Sequence, residues 1–484
     1  MIRAMIYTDP PSALAGAEVC FFCGSKERLA AADVRSLLPA GAEAIWDTML
    51  ERLEPGDAGA STETFLPGDP AVRLVVGALP VECSRHNSPA QPHAVTKLVK
   101  AALGGVGKVA VLLALGDAEQ AFASGAAVAR ALPLYSRKKE GGDPKPERAV
   151  DVAFIAPDGD AFDLELVAAT GKGIRLAASL VDRPTAELHT DAYLEEVREL
   201  AGQAGVQLTV LRGEELEQQG YGGLWNIGKT AIHPPALAIL SHTPGGATQT
   251  TCWVGKGIVY DTGGLSLKGK DGMPGMKADM GGAAAVTGAF FAAVEAGYKE
   301  NLHALLCLAE NAIGPQAVRP DDIIKLYSGK TVEINNTDAE GRLVLGDGVA
   351  HAVKHLDPHV VVDLATLTGA QLVATGRRHA AIVANDQEIE TAAVLAGRRS
   401  GDLVHPLPYC PEFYRKEFES KVADMKNSVK DRANAQSSCA AQFVAEHLGD
   451  FDGPWLHVDL AGPASAEERG TGFGVALLVE MFLR

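Results

Sequence analysis

A chain of 484 residues exceeds what one ordinary hydrophobic core serves, so two domains are expected. Its 47% hydrophobic and 22% charged residues exclude a disordered polymer, and no apolar run reaches the ~18 residues of a membrane-spanning helix. A formal net charge of −17 works against nucleic-acid or anionic-membrane binding, since no local basic patch stands out.

The opening "MIRAMIYTDPPSALAGAE" has no apolar segment of signal-peptide type and meets Asp9, Pro10 and Pro11 early, so no secretory leader is expected. Seven scattered cysteines, an odd number, read as reduced thiols in a cytoplasmic protein. Residues 1–169 alternate short apolar runs with helical patterns, as an N-terminal α/β domain does. Its strands are expected at Glu18–Phe22, Val72–Leu79, Val109–Leu115 and Val150–Ile155. Cys20 and Cys23 lie in "VCFFC", a strand pattern that points residues three apart to opposite faces, which does not suit a zinc site. "GGVGK" at Gly104–Lys108 is read as a turn: Ala102 stands where a phosphate loop needs its first Gly, and Val109 replaces its Ser or Thr. Ser136–Ala149 is read as an exposed loop, and the charged run Arg137–Arg148 within it as a solvated one rather than a nucleic-acid patch.

The second domain, 170–484, is expected to open on helices at Gly173–Val181 and Asp191–Gly202. Strand patterns follow at Gln207–Leu211, Ala236–Ser241, Cys252–Tyr260, His303–Leu308, Thr331–Asn335, Val360–Leu364, Ala380–Val383 and Leu456–Leu460. Helical patterns separate many of them, at Gly282–Ala296, Gly346–His355, Gln436–His447 and Phe473–Phe482. The resulting fold class is α/β: a larger C-terminal catalytic domain with a mixed, mostly parallel eight-stranded sheet flanked by helices.

Two segments concentrate ionisable groups at Gly-rich strand ends, where α/β sheets place ligands. Val254–Val286 carries Lys256, Asp261, Lys268 and Asp279; Ile334–Gly348 carries Asp338, Glu340 and Arg342. Four carboxylates balance two divalent cations, and hard oxygen donors suit Zn²⁺, Mn²⁺ or Mg²⁺. Lys256 could coordinate through a neutral amine beside such ions, leaving Lys268 and Arg342 as cations for an oxyanion. Each carboxylate also has a plain structural reading. Thr337-x-x-Glu340 is a capping box, and Asp279 an N-cap for the helix that follows.

The same two segments resemble the leucyl (cytosol) aminopeptidase family. "NTDAEGRL" at Asn336–Leu343 is that family's signature octapeptide, complete. "DLATLTGA" at Asp363–Ala370 and "TGFGVALL" at Thr471–Leu478 extend the similarity, which runs from about Gly173 to the C-terminus. The wording "VYDTGGLSLKGKDGMPGMK" is nearest to an aminopeptidase-like branch found in animals. The resemblance implies a two-zinc exopeptidase acting on peptides with apolar, leucine-like first residues. It implies one metal on Lys256, Asp261, Asp279 and Glu340, and a second, exchangeable for Mn²⁺ or Mg²⁺, on Asp261, Asp338 and Glu340. By the same resemblance Lys268 polarises the substrate carbonyl and Arg342 holds a bicarbonate acting as general base. Met276, Thr366, Gly369 and Ala461 would line the pocket for the first side chain, and the Leu367 carbonyl would accept a leaving-group amide. A homohexamer of two stacked trimers is also implied. The chain departs from many relatives at Asp182 and Ala186, where they read Asn, and at Ala464, where some carry Met.

Other candidates have plainer readings. His351 and His355 lie four apart on a helix with no Glu after the first, so a solvated face is expected. His457 is expected to be a hydrogen-bonded core histidine, and Cys439 a packing residue. A two-metal phosphoesterase would use similar carboxylates but usually adds His ligands, and none flanks these motifs. A non-catalytic, nucleic-acid-binding scaffold conflicts with the acidic balance.

Overall fold

The computed structural model describes residues 2–68, 70–104, 107–138, 148–157 and 162–484. Two compact units form, one from residues 1–175 with 396–403, the other from 176–395 with 404–484. The readings of Gly104–Lys108 as a turn and of Ser136–Ala149 as a loop fall in part outside the described residues.

The first unit is built on a six-stranded sheet of β1 (Ile2–Tyr7), β2 (Val19–Gly24), β3 (Ala60–Leu66), β4 (Val72–Ala78), β5 (Val109–Ala114) and β6 (Arg148–Ile155), ordered β1-β6-β5-β2-β4-β3. All pairings are parallel except β3 with β4. Central β2 is buried along its whole length, as expected of a strand covered on both faces, and it takes Cys20 and Cys23 into the interior. Trp46 meets Phe22 edge-on below it. The edge strands β1 and β3 were not anticipated. In β3, "ASTETFL" mixes Thr and Glu into an edge that is only half covered, so its apolar signal is weak.

The second unit carries an eight-stranded sheet. Its strands are β7 (Gln207–Arg212), β8 (Ala236–His242), β9 (Thr250–Asp261), β10 (Asn301–Asn311), β13 (Val360–Ala365), β14 (Ala380–Ala384), β15 (Val404–Pro406) and β17 (Trp455–Asp459). They lie in the order β15-β14-β17-β13-β9-β10-β8-β7. The four centre-most strands, β17, β13, β9 and β10, run parallel; β8 and β7 add antiparallel at one side, and β14 pairs antiparallel with β17. One membership differs from expectation. Thr331–Glu333 is β12 of a separate small sheet, between β11 (Ile323–Lys325) and β16 (Met425–Lys426), while short β15 supplies the eighth strand of the large one. A three-residue strand containing His and Pro gives no periodic signal to read.

Helices α1 (Gly281–Glu295) and α2 (Gly341–His355) pack on β9 and β10. The α1 sequence "GGAAAVTGAFFAAVE" is small and apolar all round, and it is correspondingly buried over nearly its whole length. Gly282 shows why small residues are needed here: a Cβ would lie 2.0 Å from the Leu364 carbonyl oxygen on β13. Among the described residues, no helix is long and apolar enough to cross a membrane.

Candidate metal centre

The charged cluster forms where parallel β9, β10, β13 and β17 end, the edge of an α/β sheet where loops converge. β9 delivers two of its members. Lys256 points to the α2 side of the sheet, and strict alternation would send Asp261, five residues on, to the other side. A bulge prevents this. Ala309 pairs with Ile258 but Glu310 pairs with Tyr260, so β9 carries one extra residue and Asp261, opposite Asn311, returns to the face of Lys256. Asp261 Oδ1 then accepts from Asn311 Nδ2 and from the Gly263 amide, both at 2.8 Å.

The carboxylates of the second segment are not used as caps. Helix α2 begins at Gly341 with Glu340 in the capping position, and no side chain caps it among the described residues. Thr337 instead donates to the Gly263 carbonyl at 2.6 Å and accepts from Ser266 N at 2.7 Å, stitching the two loops together. Asp279 likewise leaves the start of α1 to Met280; its Oδ1 accepts from Lys256 Nζ at 2.8 Å and Thr366 Oγ1 at 2.9 Å. The capping alternatives for both segments therefore do not hold.

Five predicted ligands come together. Carboxylate oxygens of Asp261, Asp338 and Glu340 lie within 4.8 Å of one another. Asp279 is tied in through Lys256, whose Nζ is 2.8 Å from Asp279 and 3.0 Å from Glu340 and donates to the Thr366 carbonyl. Lys268 closes the other side, 2.7 Å from Asp261 Oδ2 and 2.5 Å from Asp338 Oδ1. Room for the Lys256 amine comes from Gly341, where a Cβ would sit 2.7 Å from Nζ and 2.5 Å from Cε. That is the physical reason for glycine after Glu340.

The electrostatics are those of a cluster short of positive charge. Burial, then the charge of Asp261, pushes Glu340 up to about 8 against the pull of Lys256. Burial does the same to Asp279, up to about 6, with Lys256 opposing. Burial disfavours charge on Lys256 and Lys268, but the surrounding carboxylates outweigh it and hold both protons above the ordinary lysine range. Asp279 Oδ2 and Glu340 Oε2 are buried and find no hydrogen-bond partner among the described residues. Two orphan carboxylate oxygens beside three further carboxylate and amine donors fit a site for hard cations. Among the described residues no histidine joins this group.

The remaining predicted residues surround the cluster. Arg342 is buried in the first turn of α2; burial pulls its guanidinium down to about 10, and its Nε and Nη1 find no partner among the described residues. Thr366 and Leu367 follow β13, and Asp459 at the end of β17 accepts from the Leu367 and Ala461 amides at 3.0 and 3.3 Å. Met276 opens the short turn Met276–Ala278 that presents Asp279, and Gly369 opens the helix Gly369–Ala374. Ala464 lies with Thr366 against Gly281, so the position where some relatives carry Met faces this same wall. Asp182, one of the departures, is buried and paired with Arg469 at 2.6 Å. Reading the sequence missed Asn311, Asn427 and Asp459, which brace the loops. Asn427 reaches the Asn335 amide and the Asn336 and Ala339 carbonyls, and nothing in its local pattern marks it. His351 is corrected: it is buried and bonded to the Tyr221 hydroxyl at 2.7 Å, not on a solvated face.

Residues 175–479 match the model of the cytosol aminopeptidase family catalytic domain, and residues 20–141 match M17 aminopeptidase N-terminal domain 2. The chain belongs to the cytosol aminopeptidase (M17) family. As a member it is a metal-dependent aminopeptidase, a hydrolase. Its similarity to the mouse (Mus musculus) protein named probable aminopeptidase NPEPL1 is 53% identity over 454 residues, covering 93% of this chain and 85% of the relative. Leucyl aminopeptidase from Trypanosoma brucei, solved in complex with bestatin, superposes with a TM-score of 0.92 at 40% identity, covering 99% of this chain and 95% of that one. Caenorhabditis elegans leucine aminopeptidase gives 0.90 at 35% identity, with 99% and 98% coverage. The similarity therefore reaches the N-terminal part as well, beyond the stretch from about Gly173 onward to which the motifs confined it.

Proposed function

We propose that the chain removes unblocked, apolar N-terminal residues from peptides, using two divalent ions held in the C-terminal domain, residues 170–484. The observation that carries this reading is the convergence of Asp261, Asp338 and Glu340 with Asp279 and Lys256, two of their buried oxygens lacking a partner among the described residues. Lys256, Asp261, Asp279 and Glu340 would hold one ion, zinc in the resting enzyme. Asp261, Asp338 and Glu340 would hold the other, exchangeable for Mn²⁺ or Mg²⁺. When bound, the pair supplies Lewis-acid polarisation and a water acidified toward neutral pH.

The protein's own groups do the rest. Lys268, beside Asp261 and Asp338, would stand as a cation poised to stabilise negative charge on a substrate oxygen. Arg342 would hold a bicarbonate, which would supply the general base; its Nε and Nη1, without a partner among the described residues, are the donors such an ion requires. Asp279 would receive the substrate α-amine beside the exchangeable ion, which is why a free N-terminus is demanded. The Leu367 carbonyl accepts the leaving-group amide. Met276, Thr366, Gly369 and Ala461 line the first-residue pocket, which Ala464 makes roomier than Met would. A cytoplasmic homohexamer of two trimers completes the reading.

Protein loaded with Zn²⁺ or Mn²⁺ is expected to hydrolyse leucyl-amide substrates, and N-acetylation of the substrate is expected to abolish turnover. Equal turnover of free and acetylated substrates overturns the amine-binding role.

A further inference from the structure

Two separate loops supply walls to the first-residue pocket as read above: the turn Met276–Ala278, and residues 461–464 after β17. Both are tied to one residue outside the pocket. Asp182 closes the helix Leu164–Asp182 and is only 2% exposed. Its main-chain carbonyl accepts from Lys277 Nζ at 2.5 Å, in the middle of the turn that leads from Met276 to Asp279. Its carboxylate takes the second loop. Oδ2 accepts from Arg469 Nε at 3.0 Å and Nη2 at 2.6 Å, and Oδ1 accepts from the Gly470 amide at 2.8 Å.

Arg469 and Gly470 form one strand of a small hairpin whose other strand, Ser465–Ala466, begins directly after Ala464. The two residues of its turn, Glu467 and Glu468, have φ of +52° and +62°. Glycine and asparagine adopt that left-handed conformation readily and glutamate does not, so the turn is strained and persists only where its surroundings over-determine it. The grip of Asp182 does so, helped by close packing: a Cβ on Gly470 would lie 2.5 Å from the Ala178 carbonyl oxygen. Thr471 passes the position on to the pocket, its hydroxyl donating to the Pro463 carbonyl at 2.6 Å and its amide to the Ala464 carbonyl at 3.1 Å. Both oxygens of Asp182 are thus met by N–H donors. Asparagine, which many relatives read here, cannot match them: its NH2 would face Arg469 or the Gly470 amide, donor against donor.

We propose that Asp182 is the clasp that sets the spacing of the two pocket walls, and with it the preference for a leucine-sized first residue over a smaller one. It is a positioning residue: it acts through Lys277 and Arg469 and lies outside the metal cluster and the pocket lining. The inference rests on the reading of the first-residue pocket given above.

The test uses the metal-loaded full chain and the ratio of kcat/KM for leucyl-amide to that for alanyl-amide. That ratio does not depend on the fraction of enzyme that is folded, so a loss of stability alone leaves it unmoved. Wild type is expected to favour leucyl-amide. Asp182→Asn is expected to lower the ratio about tenfold, through a raised KM for leucyl-amide, while both ions are retained. The double variant Asp182→Asn, Arg469→Gln lets the new NH2 meet a side-chain carbonyl, and is expected to return to within about threefold of wild type. Lys277→Met cuts the other tether and leaves the carboxylate pairing intact; it is expected to lower the ratio in the same direction, and it decides the matter if Asp182→Asn does not fold. A wild type that cleaves neither amide, or does not favour leucyl-amide, overturns the pocket reading and this inference with it. A wild type that favours leucyl-amide, beside an unchanged ratio in Asp182→Asn or Lys277→Met or a double variant no better than the single, overturns this inference alone.

Discussion

Lys256 and Lys268 flank the same carboxylates, yet their surroundings assign them different work. Lys256 is buried and its amine is spent on Asp279, Glu340 and the Thr366 carbonyl, so it has nothing left for a substrate. Lys268 is half-buried at the open side, over Asp261 and Asp338, and can turn to an incoming carbonyl. Lys268→Ala is therefore expected to lower kcat by about 10²–10³-fold while the protein, assayed by atomic absorption, retains both ions. Arg342→Ala is expected to behave the same way, because its guanidinium holds an anion and no metal. Loss of both ions from either variant would place that residue among the ligands instead.

At the scale of elements, the site depends on a bulge and a glycine. The extra residue in β9 decides the side of the sheet on which Asp261 stands. Gly341 lets the first turn of α2 approach the Lys256 amine, so Gly341→Ala is expected to push Lys256 aside. The fold should survive, since the methyl group meets a flexible side chain, but metal affinity should fall by ten-fold or more, as read by competition with a chromophoric chelator. Helix α2 and the turn that follows the helix Gln436–Ala445 also carry an acid-sensitive element. Burial holds His351 on α2 down to about 4 and His447 down to about 3. Both stay neutral when folded, whereas unfolded histidine takes up a proton near pH 6.5. The stability they contribute is complete above about pH 6.5 and is lost as the pH falls toward these lowered values. The urea midpoint is expected to drop between pH 7 and pH 5, and to drop less in His447→Gln; equal drops would remove His447 from the cause.

For the molecule as a whole, the buried carboxylates make stability a function of metal content. With its cations removed the cluster keeps Glu340 and Asp279 at raised proton affinity, a sign that the ionised groups repel one another and miss their solvation. Ions that bind only the folded state stabilise it by mass action. Chelation at pH 8 is expected to lower Tm by several degrees, restored by Zn²⁺ or Mn²⁺, with a smaller effect in Glu340→Gln. An unchanged Tm after verified metal removal would contradict a site built into the fold.

Sequence alone determined the two-part α/β plan and most strands of the large C-terminal sheet, and it pointed to the ionisable groups that converge; it missed elements such as the helix Gln387–Ser400. The legible features rest on periodicity and on contiguous motifs, which local chain chemistry encodes. The tertiary structure decided that these carboxylates do not serve as caps: Thr337 turns to Gly263 and Ser266, Asp279 turns to Lys256 and Thr366, and no side chain caps α1 or α2 among the described residues. It also decided the face of Asp261, the exchange of Thr331–Glu333 for Val404–Pro406 in the large sheet, and the bracing by Asn311, Asn427 and Asp459. Most of these depend on hydrogen bonds or strand register between residues some fifty to ninety positions apart in the chain. Such pairings exist only once the chain has folded.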